Sequence, residues 1–324
     1  MRFAVVGAGA IGAFVGAMLS RAGEDVALIA RGAHLRAMQE HGVRVRGSLG
    51  EFEARPLATD DPAEVGAVDV VLLTLKAHSL TEMAPRLTPL LGPETSVVTA
   101  QNGIPWWYFY RHGGEWEGMQ LESVDPGGVI AKHIEPWRVI GGVVYCSTIL
   151  VEPGVIEHIG GTRFSLGEPD GTKSERCQHI AEAFIRAGLR APIRNDIRHE
   201  MWVKLLGNAA FNPISALTRA TLIEMTQCPE TRALAGAIMS EVAKVAERLR
   251  IRLGISIEQR LKGAEQVGHH KTSMLQDVEA GRPLELEPIV GAAVELGDKL
   301  GILMPHTKTV YACAKLLEHQ IVKR

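Results

Sequence analysis

No excess of basic charge exists in this 324-residue chain: 35 Lys plus Arg stand against 37 Asp plus Glu, for a net charge of −2. Phosphate neutralisation needs a basic face, so no nucleic-acid partner is expected. Cysteine is scarce as well. Cys146, Cys177, Cys228 and Cys313 form no CxxC pair and have no histidine at zinc-ligand spacing. They read as small buried hydrophobes in a reducing cytosol, and no metal site is expected. His269-His270 and His199-Glu200 do not alter this, because the latter runs into Met201-Trp202-Val203-Lys204 and lacks the second histidine of a zinc-protease helix. Low-complexity segments and internal repeats are absent. A long apolar run is missing too. The uncharged stretch 3–20 mimics a signal peptide or membrane span, but carries Gly7, Gly9, Gly12 and Gly16 and no leucine-rich centre. It reads as fold, so a cytoplasmic protein with no membrane partner is expected.

What remains is globular. Hydrophobic residues make up 46% and charged residues 22%, and the length is about twice that of a ~150-residue domain, which predicts two domains. The first part alternates strand and helix patterns: strand 3–6, helix 10–22, strand 26–30, helix 33–40, a hairpin or irregular excursion over 43–57, strand 68–75, amphipathic helix 80–91 and strand 96–100. Such alternation predicts a doubly wound, Rossmann-like parallel sheet. Glycine pairs at Gly141-Gly142 and Gly160-Gly161, with Pro153-Gly154, punctuate β-rich runs over 139–166, which suggests antiparallel strands completing the sheet before a helix at 177–187. Beyond about residue 195 only helical periodicity persists, at 200–211, 232–249, 257–267, 288–300 and 307–321. The expected domains are therefore 1–195, α/β and dinucleotide-binding, and 196–324, all-α.

Gly7-Ala8-Gly9-Ala10-Ile11-Gly12 lies between the first strand and helix. In this G-x-G-x-x-G pattern the first glycine allows the turn, the second lets a diphosphate approach the backbone, and the third brings helix close to strand. The second strand ends in Ala30-Arg31-Gly32, with no carboxylate for a ribose 2′-hydroxyl. Arg31 suits a bidentate contact with the 2′-phosphate of NADP(H), the cofactor this favours, although a solvated arginine is the plain alternative. Lys76 and Asn102-Gly103 follow two further strands, at the carboxyl ends outside which ligands of open α/β sheets bind. Each could equally be an ordinary loop residue. Lys204, Asn208 and Asn212 recur every four residues, rotating ~40° per step, and so share one helical stripe. Pro213 predicts a kink or break at Asn212. Ser273-x-x-Gln276 has the pattern of a helix N-cap.

Taken in order, these segments resemble the ketopantoate reductase (2-dehydropantoate 2-reductase) family: GAGAIG, Leu75-Lys76-Ala77, Gln101-Asn102-Gly103, Trp202-Val203-Lys204-Leu205 with Asn208 and Asn212-Pro213, Ser273-Met274-Leu275-Gln276-Asp277, and Glu285. The resemblance implies NADPH-dependent reduction of a small 2-oxo acid, with Lys204 as general acid and Glu285 anchoring the bound ligands. It implies that Asn208, Asn212 and Ser273 orient substrate, that Lys76 and Asn102 hold cofactor and substrate, and that the active site lies where two domains meet. Asp277 is expected to support Ser273 or the lysine. Two departures stand out. Glu287 and Val290 replace the family's usual aspartate and asparagine, and Trp106-Trp107-Tyr108-Phe109-Tyr110 is richer in aromatics than usual. That run either packs under a loop or shapes the pocket for a more apolar 2-oxo acid. Rival readings are a dehydrogenase for another 2-oxo, 2-hydroxy or opine-like acid, and an NADP-binding redox sensor without catalysis. Sequence leaves the oligomeric state open, a homodimer included.

Overall fold

Strand β1 (Arg2–Val6) alternates its side chains between two apolar layers. Phe3 and Val5 enter a cluster with Phe14, Leu19 and Phe184, whereas Ala4 and Val6 enter one with Ile29, Leu73 and Leu80. A strand buried on both faces belongs in the middle of a helix-covered parallel sheet, and β1 lies there. The computed structural model describes residues 1–322. Its sheet contains β1, β2 (Asp25–Ile29), β3 (Val43–Gly47), β4 (Phe52–Ala54), β5 (Leu57–Thr59), β6 (Val68–Leu73), β7 (Leu91–Thr99), β8 (Val139–Glu152) and β9 (Val155–Gly167). The nine strands run in the order β4-β3-β9-β8-β7-β6-β1-β2-β5. From β5 to β8 all neighbours are parallel and the order reverses at β1/β6, as in a Rossmann sheet. The β8–β9 hairpin is antiparallel and recruits the β3–β4 hairpin to the far edge.

The helices of this part are α1 (Ala10–Arg21), α2 (Gly32–His41), α3 (Pro62–Val65), α4 (Leu80–Met83), α5 (Val129–His133) and α6 (Glu175–Arg186). The single helix expected over 80–91 does not form. It is α only to Met83 and continues as a 3-10 turn over Ala84–Leu90, because Pro85 and Pro89 remove amide donors. Leu80, Ala84, Leu87 and Leu90 still reach the core, so the apolar spacing survives the change of helix type.

The second unit is helical: α7 (Ile197–Thr218), α8 (Leu222–Gln227), α9 (Pro229–Arg248), α10 (Ile257–Val267), α11 (Ser273–Glu279), a π turn (Glu287–Gly291), α12 (Ala292–Lys299) and α13 (Pro305–Val322). It begins at Arg198 but also takes in two excursions, Asn102–Pro105 and Leu121–Pro126. The first is fixed by Ile104 N–H donating to Pro288 O at 2.8 Å. The second is held by Glu295 of α12, which accepts from the amides of Glu122 at 3.0 Å and Ser123 at 2.9 Å. The break expected at Asn212 does not occur, since α7 runs 22 residues through Pro213; the proline costs one backbone bond, and burial on both sides outweighs it. Two of the cysteines also depart from expectation, since Cys228 and Cys313 are exposed. Among the described residues no helix is long and apolar enough to cross a membrane.

A buried carboxylate ties two of these helices together. Glu241 of α9 accepts from His306 N (3.0 Å), His306 Nδ1 (2.7 Å), Thr307 N (2.9 Å) and Thr307 Oγ1 (2.6 Å), capping the start of α13. Burial alone would raise its pKa, but the bonds from Thr307 and His306 outweigh it and hold the carboxyl below the usual range. A depressed carboxyl contributes stability that is present above its unfolded pKa and lost as pH falls through the folded one. Glu241→Ala should therefore cost about 2–4 kcal/mol, since buried donors lose their acceptor. Urea unfolding at pH 7 and pH 4 checks this: the deficit shrinks at the lower pH, and a variant within 0.5 kcal/mol (roughly the surface-mutation scale) of wild type at pH 7 contradicts it.

Candidate active site

The glycine-rich turn is built by exclusion. Gly7 has φ +90°, and a Cβ there would lie 2.5 Å from the Leu75 backbone. At Gly12 a Cβ would meet Gly7 O at 2.6 Å and the Thr74 hydroxyl. Thr74 Oγ1 donates to Gly7 O at 2.9 Å, clamping the turn to the end of β6. Gly9 is different: apart from Gly7 O at 3.9 Å nothing stands near its Cβ position, so the backbone is open from outside. Ala10 and Ile11 begin α1 behind a Gly9 cap that makes no side-chain bond, and its first turn holds no acidic residue. An uncapped, uncharged helix N-terminus beside bare backbone fits a diphosphate. The buried Ala8 completes the turn by donating its amide to Ile29 O at 3.0 Å.

Arg31 is the exposed N-cap residue of α2, just past the end of β2. Lys76 is half-buried and lies three residues past the end of β6. Both are in the sheet unit with the glycine turn. Thr74 was not singled out from the sequence. A threonine at a strand end carries no local signal of what its hydroxyl will meet.

The remaining candidates lie in the helical unit. Lys204, Asn208 and Asn212 occupy one stripe of α7 beside the buried Trp202, Leu205, Leu206 and Phe211. Burial draws the Lys204 ammonium down to about 8, and the Glu285 carboxylate keeps it from falling further. Glu285 Oε2 in turn accepts from Asn102 Nδ2 at 3.2 Å. Asn102 is placed by its neighbour: Gly103 has φ +88° and packs so tightly on the Pro288 backbone that a Cβ would lie 3.0 Å from Ile289 N. Asn212 is 4% exposed, and its Nδ2 has no hydrogen-bond partner among the described residues. A buried amide donor without an acceptor costs about 1–3 kcal/mol, which suits a group that meets a ligand oxygen.

Ser273 is exposed and is the first residue of α11, not its cap. Thr272 caps the helix instead, accepting from Leu275 N at 3.2 Å, so the Ser273 hydroxyl is not used in capping. Asp277, expected to support Ser273 or the lysine, accepts from Arg282 Nε at 3.1 Å. Glu287 turns away from Asn102 and Lys204: its carboxylate accepts from Tyr311 Oη at 2.9 and 2.8 Å and pairs with Lys315 Nζ at 2.8 Å. Val290 is fully buried. In the aromatic run, Trp107, Tyr108 and Phe109 are 0–2% exposed. Trp107 fills the space left by Gly141 and donates to Thr99 Oγ1 at 3.2 Å. Those three side chains pack beneath the loop.

A Rossmann sheet, an open glycine turn and an acid–lysine pair on a separate helical unit define an oxidoreductase of the nicotinamide-dinucleotide class. Residues 3–107 match the family model Ketopantoate reductase PanE/ApbA, and residues 196–318 match Ketopantoate reductase PanE/ApbA C terminal. The 2-dehydropantoate 2-reductase of Mesorhizobium japonicum is 49% identical over 325 residues, spanning 100% of this chain and 99% of that protein. That of Archaeoglobus fulgidus is 33% identical over 302 residues, 93% and 92% of the two chains. A solved structure from Ralstonia solanacearum, a candidate ketopantoate reductase, superposes with a TM-score of 0.94 at 39% identity, covering 99% of this chain and 98% of that one. The chain belongs to the ketopantoate reductase family.

The Lys204–Glu285 pair makes its own prediction. In an NMR titration of lysines labelled at the ε position, Lys204 should titrate near 8, well below the ~10.4 of a free lysine. Glu285→Gln should move that midpoint lower still. A midpoint unchanged by Glu285→Gln contradicts the pairing.

Proposed function

We propose that the protein reduces a 2-oxo acid, 2-dehydropantoate (ketopantoate), to its 2-hydroxy acid with NADPH, using Lys204 as the proton donor. The observation that carries this reading is the placement of Lys204, half-buried on α7 in the same stripe as the buried Asn212, with the Glu285 carboxylate opposing the fall of its pKa to about 8. A general acid works best with a pKa near the working pH, and an ordinary surface lysine is too weak an acid. The Gly7–Gly12 turn and the N-terminus of α1 would hold the diphosphate, Arg31 the 2′-phosphate, and Lys76 further cofactor oxygens. When bound, NADPH supplies a hydride to the ketone carbon. As the C=O π electrons move onto oxygen, Lys204 stabilises the growing negative charge and then transfers a proton from Nζ to that oxygen. Asn212, with its buried unpartnered Nδ2, and Asn208 beside it would fix the substrate oxygens. Glu285 keeps Lys204 charged before transfer, holds Asn102, and serves as an anchor for bound ligands. Ser273 completes the substrate contacts. Packing of Trp107, Tyr108 and Phe109 into the interior takes away the main reason to prefer a more apolar substrate over ketopantoate.

An NADPH-oxidation assay with ketopantoate and a panel of other 2-oxo acids tests the assignment; turnover of none of them sinks it. Lys204→Ala should bind NADPH normally by fluorescence titration yet lose turnover by about 10²–10⁴-fold. Turnover within a few-fold of wild type removes Lys204 from the mechanism. Arg31→Ala should weaken NADPH roughly ten- to a hundred-fold and leave NADH nearly unchanged. Equal weakening of the two cofactors contradicts the 2′-phosphate contact.

A further inference from the structure

Glu285 is carried by a segment with no regular structure of its own, since residues 282–285 lie in neither helix nor strand. A functional carboxylate on such a segment keeps its place only if the backbone on both sides is tied to something rigid. Arg282 is bonded back to the last turn of α11, its amide donating to Asp277 O at 2.9 Å. The residue next to Glu285 is held from elsewhere: Leu284 N–H donates to Glu318 Oε1 at 3.0 Å. On the other side, two residues on, the Glu287 carboxylate accepts from Tyr311 Oη at 2.8 Å and pairs with Lys315 Nζ at 2.8 Å. Both ties run to α13.

Tyr311, Lys315 and Glu318 are spaced i, i+4, i+7, so they share one face of that helix. The face is fitted to its partner. Gly291 is bare where the Glu287 carboxylate lies: a Cβ there would collide with it and stand 3.3 Å from Tyr311 Oη. Lys315 Nζ also donates to Tyr311 Oη at 3.1 Å, joining the two partners of Glu287. Glu318 occupies an unfavourable place for a charge. Burial raises its carboxyl above the ordinary range, the Leu284 amide opposes the rise, and Glu287 adds to it. It gives up solvation that an open helix face would leave it, and what it gains is the Leu284 amide. The helix is itself anchored, because Glu241 fixes its start through Thr307.

We propose that Glu318 and Tyr311 are positioning residues for the reduction: they fix the chain on either side of Glu285 and so keep its carboxylate where it acts on Lys204. The inference rests on the reading of Lys204 as proton donor, and the experiment separates the two by following Lys204 directly. In the full-length protein labelled at the lysine ε positions, the Lys204 midpoint is about 8 in wild type. It should fall in Glu318→Ala and in Tyr311→Phe, because Glu285 then opposes burial less well. Turnover of the 2-oxo acid should drop about ten- to a hundred-fold in Glu318→Ala, with KM for NADPH unchanged. Glu318→Gln keeps an acceptor for Leu284 N–H without the charge, and should restore the midpoint and most of the turnover. In a Glu285→Gln background, Glu318→Ala should move the midpoint no further. A folded Glu318→Ala protein with the wild-type midpoint overturns the proposal. So does a glutamine variant as impaired as the alanine, or a fall that persists in full without Glu285. If Glu318→Ala does not fold, Tyr311→Phe, which removes one hydroxyl and leaves Lys315 on Glu287, decides by its midpoint with and without Glu285. Were the midpoint to follow Glu285 while Lys204→Ala keeps wild-type turnover, the proton-donor reading would fall and the placement of Glu285 by α13 would stand.

Discussion

Keeping an ammonium charged inside protein is the constraint on which the helical unit turns. Desolvation draws the Lys204 pKa down, because burial penalises the charged form. One carboxylate, Glu285, opposes that fall. Its position is in turn fixed by the residues just after it. The chain enters a π turn at Glu287, with Ala292 N–H bonded to Glu287 O five residues back, and the Pro288 carbonyl accepts from Ile104. Asn102 arrives with that same segment and bonds Glu285. Lysine, counter-charge and amide are thus one connected construction, and π turns of this kind often occur where backbone geometry is set by function.

The two units are shaped by different physics. In the sheet unit the cofactor turn is shaped by steric exclusion, with Gly7 and Gly12 admitting no side chain and Thr74 fastening the turn. The helix that follows, α1, starts with no side-chain cap and no acidic residue in its first turn. In the helical unit the chemistry lies in side chains, and geometry is set by burial and charge compensation. The Glu287 carboxylate is occupied by Tyr311 and Lys315 of α13.

These differences govern what can be read from sequence. Steric requirements leave glycines at fixed spacing, and a polar stripe repeats at helical period, so the Gly7–Gly12 turn and Lys204–Asn208–Asn212 were visible in residue order alone. So were the central strands, the antiparallel β8–β9 pair and the run of helices after residue 195. Backbone docking leaves no such trace. Nothing in residues 102–105 or 121–126 announces attachment to the helical unit, because the bonds that hold them are made by main-chain amides that any sequence supplies. Thr272 and Ser273 are adjacent and equally able to cap, and only the start of α11 chooses between them. Pro213 shows the opposite failure: a strong local rule yields when the surrounding helix is buried on both sides.

The route of the chain has a consequence for how such a protein can be inherited or taken apart. The helical unit is not a contiguous stretch of sequence, since Asn102–Pro105 and Leu121–Pro126 belong to it although they precede residue 198. A gene segment encoding only the last third of the protein would yield a lysine and a glutamate without the asparagine that joins them, and a π turn with its Pro288 carbonyl left unbonded. Recombination between relatives at the apparent domain border would likewise pair each helical half with a foreign Asn102 loop. Neither unit is therefore a single stretch of sequence that can be exchanged with one cut.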